Sequence, residues 1–180
     1  MGHHINALIG SRHTLAKLID RFGTPEPTEV KFGLVIVPLD DRRLDEIGMW
    51  DEQPIGDFCY LKQSMADEMG RWLGQGRALY IETDYFGGMG SQHAAVFENG
   101  KMLSHRSIST FAKKTKRSML DVLARMFSKP QTASKSPISE GLAELGVEAE
   151  GETDEFDALG LGEFRMLEAL GCYNDDWDEK

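Results

Sequence analysis

Apolar positions along this chain alternate between two spacings, and the switches mark its elements. Ile5 to Ile9 is a short apolar run that predicts a strand. From His13 to Phe22 the spacing becomes helical, with Leu15, Leu18, Ile19 and Phe22 on one face and Ser11 placed to cap the N-terminus. Gly23 ends this helix, and Thr24-Pro25-Glu26-Pro27 is a stiff connection. Val30 to Leu39 is apolar nearly throughout and predicts a strand covered on both faces, with Pro38 at its end. Asp40 or Asp41 starts a short helical turn through Leu44 and Ile47, and residues 49–57 are loop-like. Phe58, Leu61, Met65, Met69, Trp72 and Leu73 then recur at helical spacing and predict a helix over 58–73, stopped by Gly74-Gln75-Gly76.

Arg77 to Phe86 alternates as a strand, with Leu79, Ile81, Thr83 and Tyr85 on one face and Tyr80, Glu82, Asp84 and Phe86 on the other. His93–Glu98 and Lys101–Arg106 predict a hairpin around Asn99-Gly100, a pair suited to the positive φ angles of a type I′ turn. Ser109 or Thr110 caps a third expected helix through about Phe127. The fold class expected is α+β: a mainly antiparallel sheet of four to five strands, with a hairpin at 93–106 and about three helices. Residues 1–128 form the expected domain, 129–137 a linker, and 138–180 an acidic extension docked on the domain.

Charge sharpens the last point. The net charge is −10, yet residues 101–137 carry nine Lys/Arg against the single acid Asp121. Residues 138–180 carry fourteen Asp/Glu against Arg165 and Lys180. Blocks of opposite sign attract, so the extension is expected to fold back over the basic helix, near residues 110–127. The overall acidity and the lack of a recognition motif argue against nucleic-acid binding. No apolar run reaches the ~20 residues of a membrane span, and the N-terminus does not have the pattern of a signal peptide. With only Cys59 and Cys172, in no metal-knuckle spacing, a reducing cytoplasm is the expected compartment.

Candidate chemistry gathers in YIETDYFGGMGSQHAAVF, residues 80–97. Gly87, Gly88 and Gly90 lie beside Glu82, Asp84, Tyr85 and Gln92, and these seven are the candidate ligand- or partner-binding residues. A phosphate loop would open a helix, whereas a strand follows here, so no nucleotide cofactor is expected. Two carboxylates on one strand do not define a hard-cation site, and no metal is expected. Counting out from Asn99-Gly100 places His93 opposite residue 106, which puts His93 and His105 on opposite faces. Cys59, at the expected helix start, shows no base partner and reads as a structural cysteine.

ETDYFGGMGSQHAAVF resembles the signature of a family of small uncharacterised bacterial proteins, Glu-Thr-Asp/Glu-Tyr-Phe-Gly-Gly-x-Gly-x-Gln. DEFDALGLGEFR is similar to the acidic, Gly-Leu-Gly-containing tail of those sequences, departing from it at Glu163-Phe164, where a more basic run is expected. The resemblance implies no established activity and carries over no catalytic residue.

The acidic charge, the charged extension and the lack of a catalytic constellation point to a small cytoplasmic protein without catalytic activity. Its expected partner is a macromolecule, a protein, bound in the manner of an inhibitor or immunity protein. The rival is a hydrolase-like enzyme or ligand sensor using Glu82 or Asp84, with Gln92 or the glycine amides stabilising developing negative charge. A pocket holding both carboxylates and Gln92 would favour the rival.

Overall fold

The computed structural model describes residues 2–48, 51–86, 89–110 and 135–172. Among them the chain forms one antiparallel sheet of six strands, in the order β2-β3-β1-β4-β5-β6, with helices on both faces. The strands are β1 (His3–Ser11), β2 (Thr28–Glu29), β3 (Leu34–Pro38), β4 (Arg77–Phe86), β5 (Met89–Glu98) and β6 (Lys101–Ser109). The helices are α1 (Arg12–Phe22), α2 (Asp41–Ile47), α3 (Gln63–Trp72), α4 (Pro137–Glu144) and α5 (Glu155–Leu159), joined by short 3-10 turns. The class is α+β, as the patterning indicates. Among the described residues the sheet has six strands against the four to five expected, and there are five helices against the expected three or so.

The differences have local causes. The apolar run at 30–39 becomes a strand only from Leu34, because a 3-10 turn at Lys31–Gly33, with Phe32 and Gly33 at positive φ (61° and 68°), reverses the chain and pairs the preceding Thr28–Glu29 (β2) with β3 as a two-residue edge strand. The helix expected from Phe58 begins at Gln63, because the amides of Cys59, Tyr60 and Leu61 bond to the Glu82 carboxylate. Ser11 caps α1 as expected, its hydroxyl accepting from the Thr14 amide at 3.1 Å. The helix expected near 110–127 lies, beyond Thr110, outside the described residues, as does most of the expected linker; Pro137 itself opens α4 behind the N-cap Ser136.

Each sheet face carries its own core. On one, Leu8, Val37, Tyr80 and Phe97 pack under α1, α2 and α3 through Leu15, Leu18, Leu44, Met65 and Met69. On the other, Ile5, Ile9, Ile36, Leu79, Ile81 and Val96 pack under Ile138, Leu142, Leu159, Leu161 and Leu170. Residues 137–170 thus lie on the sheet itself, and the His4 amide donates to Arg165 O at 2.7 Å where β3 stops short of β1. Among the described residues no helix is long and apolar enough to cross a membrane.

Candidate functional site

Alternation along β4 divides the sequence-predicted residues. Glu82 follows Tyr80 onto the face covered by α1–α3, and Asp84 follows by the same period. Tyr85 and Gln92 lie on the opposite face, where they border one cavity together with His3, Thr83, Phe156 and Arg165. Among the described residues, neither Glu82 nor Asp84 lines the cavity that Gln92 borders. Gly87 and Gly88 lie outside the described residues. Gly90 sits inside β5 opposite Tyr85, where a Cβ would overlap the Asp84 carbonyl. Its amide donates to Thr110 Oγ1 at 2.6 Å and its carbonyl accepts from Thr110 N at 2.8 Å, so this glycine permits a close backbone approach.

Glu82 is buried at the centre of a dense set of donors. Its Oε1 accepts from the amides of Tyr60 (3.0 Å) and Leu61 (2.8 Å) and from the Tyr80 hydroxyl (2.9 Å), and its Oε2 accepts from the Cys59 amide (2.6 Å). Three consecutive amides on one carboxylate make a charge-assisted clamp that fixes residues 59–61 to the sheet. Burial, and then the Glu82 charge, pushes the Tyr80 hydroxyl well above its ordinary range, which keeps it a donor. The arrangement holds a loop in place.

The clamp brings Cys59 to His93, a pairing that spacing in the sequence does not show. One ligand atom from each of Cys59, Glu82 and His93 lies within 4.8 Å of the other two. His93 is buried against the Phe58 ring, with centroids 5.2 Å apart. Its Nδ1 is bonded to Ser107 Oγ at 2.9 Å, while its Nε2 is buried without a hydrogen-bond partner. Burial holds the imidazole below its ordinary pKa, with Glu82 and Asp57 opposing that shift. The Cys59 thiol is pushed up, first by burial and then by the charges of Glu82 and Asp84. A neutral thiol beside a neutral imidazole is not an activated nucleophile. Cys59 is exposed rather than buried, and it borders a cavity of about 330 Å³ with Pro54, Tyr60 and Met65.

The histidine geometry also corrects an expectation. β5 and β6 pair Phe97 with Met102 but Val96 with Ser104, so a bulge shifts the register by one residue. His93 then faces Ser107, and His105 faces Ala95. His93 and His105 therefore share a face, both against Phe58. An extra residue in one strand leaves no mark in the apolar pattern.

On the opposite face His3 Nδ1 bonds Thr83 Oγ1 at 2.8 Å and its Nε2 bonds Leu161 O at 3.2 Å, which closes one wall of the Tyr85–Gln92 cavity. Comparison of the chain with family models, curated proteins and solved structures found no match, so the reading of these sites rests on their own geometry.

Proposed function

We propose that this protein acts in the cytoplasm by binding an acidic segment of another protein along the edge of β6, as an inhibitor or immunity protein does, without catalysing a reaction. The observation that carries this reading is β6 itself. It is a nine-residue strand at the end of the sheet, with no described strand on its outer side. Such an edge offers backbone donors and acceptors in register for an added strand. Leu103 and Ile108 are exposed along it, and it carries Lys101 and His105 with no carboxylate, while its Arg106 is paired with Glu140 and Glu144 of the same chain. Residues 111–137 of the sequence add seven Lys/Arg against Asp121, so an acidic partner segment matches both the strand and the chain that follows it.

The division of the polar residues adds support. Glu82 is anchored by the 59–61 amides on one face of the sheet, and Gln92 lies on the other, which leaves the hydrolase-like alternative without a common focus. A second reading, ligand sensing at the Tyr85–Gln92 cavity of about 240 Å³, is favoured by one observation: Gln92 Oε1 is buried with no hydrogen-bond partner.

The test is site-specific photocrosslinking in the native cell from residue 103 or 108, with Lys17 on α1 as the control position. Edge binding gives a discrete protein adduct from 103 and 108 that Ser107→Pro abolishes and that the control does not form. A nucleic-acid adduct, equal adducts from all three positions, or none would overturn the reading.

A further inference from the structure

We infer that Cys59, Glu82 and His93 form a zinc-binding site. Three elements converge to make it: the 55–61 loop, β4 and β5. The ligand types are a thiol, an imidazole and a carboxylate, the set from which Zn²⁺ sites are drawn; Mg²⁺ and Ca²⁺ instead collect oxygens. Proximity alone would be thin support, but His93 supplies an independent observation. It is only 2% exposed, and its Nε2 finds no hydrogen-bond partner among the described residues. A buried polar atom left unbonded is costly, and such atoms call for an occupant.

The surroundings are those of a prepared ligand set. Metal-bound histidines engage their second nitrogen with a hydrogen-bonding group, which fixes the ring; here Nδ1 is held by Ser107 Oγ. Ligating carboxylates are likewise held from outside. Glu82 Oε1 takes three donors, whereas Oε2 takes only the Cys59 amide and keeps lone-pair capacity for a cation. The same amide bonds that anchor Glu82 place Cys59 beside it. Ligand atoms in a tetrahedral zinc site stand roughly 3.3–3.8 Å apart, as bond lengths of about 2.0–2.3 Å require. The present separations lie within 4.8 Å, and the exposed Cys59 side chain has room to adjust by rotation. Three protein ligands leave a fourth position for water. The site is distinct from β6 edge binding and stands or falls separately.

The experiment uses the full chain, stripped with a chelator and titrated with Co²⁺ and then Zn²⁺. The expected result is one equivalent of Co²⁺ with a thiolate-to-cobalt charge-transfer band, displaced stoichiometrically by Zn²⁺. Cys59→Ala, which removes an exposed side chain and keeps the backbone amide bonded to Glu82, should abolish the band and weaken zinc binding by about 100-fold or more. Ser107→Ala should weaken it about 10-fold by freeing the His93 ring, and Cys172→Ala should leave it unchanged. A wild-type protein without the band, a band that survives Cys59→Ala, or one lost in Cys172→Ala would overturn the assignment. Zinc held adventitiously by His3-His4 would survive Cys59→Ala and so also counts against it.

Discussion

At the scale of single residues, Glu82 behaves unlike the other sequence-predicted carboxylate. It is buried with four donors, whereas Asp84 is exposed and lies 3.7 Å from His4 Nδ1. Removing a carboxylate that satisfies three amides leaves them without partners, and each such group costs about 1–3 kcal/mol. Glu82→Ala should therefore lose on the order of 3 kcal/mol or more in urea unfolding, while Asp84→Ala should stay within about 0.5 kcal/mol. Equal effects would contradict the clamp. Alternation placed Glu82 on its correct face, but its partners are backbone amides of residues 59–61, and no side-chain pattern marks them. His3 makes a separate, pH-dependent prediction. Burial lowers its pKa below the ordinary 6.5, with the Leu161 carbonyl opposing and Arg165 and His4 assisting. The unfolded chain therefore takes up the proton first as pH falls. The stability contributed by neutral His3 is complete above pH 6.5 and is lost as pH drops through the lowered folded value. His3→Gln should show a shallower fall in melting temperature below that pH than the wild type.

At the scale of elements, the strongest local signal in the sequence was the Asn99-Gly100 turn, and both residues take positive φ (50° and 78°). What the signal did not carry is the fit around the turn. Gly70 of α3 and Gly100 approach so closely that a Cβ on either would overlap the other's carbonyl oxygen. Gly70→Ala should thus destabilise by about 1–3 kcal/mol despite its better helix propensity, because backbone rather than a flexible side chain must move. Gly100→Val adds positive-φ strain to the same overlap and should cost more. A melting temperature raised by Gly70→Ala would show that α3 does not pack on the turn. Helix periodicity located α1 and the body of α3 because a buried stripe recurs every turn. It overran the start of α3, since Phe58 and Leu61 are buried from a loop at the same spacing. The bulge opposite Val96/Phe97 was equally hidden, and with it the shared face of His93 and His105.

At the scale of the whole molecule, the antiparallel α+β class follows from strands joined as neighbours. The docking of the C-terminal segment was signalled by its charge, and Glu140, Glu144 and Glu155 do pair Arg106 and Lys135; what charge did not show is that its sparse apolar residues complete the second core. Ile138, Leu142, Leu159 and Leu161 cover Ile5, Ile9, Leu79 and Ile81, so a chain ending at Ser136 would expose a whole sheet face. That truncation should bind a hydrophobic dye and lack a cooperative melt; a melt matching the full chain would contradict the two-core arrangement. Of the two edge strands among the described residues, β6 has nine residues against two in β2, and the proposed partner strand is placed on it for that reason. The most direct measurement is amide hydrogen exchange across the isolated protein and its complex with the photocrosslinked partner. Strand addition predicts that alternate amides of residues 101–109 exchange fast in the free protein and become strongly protected in the complex. Protection appearing instead around the 51–62 loop or the Tyr85–Gln92 cavity, with residues 101–109 unchanged, would contradict edge binding.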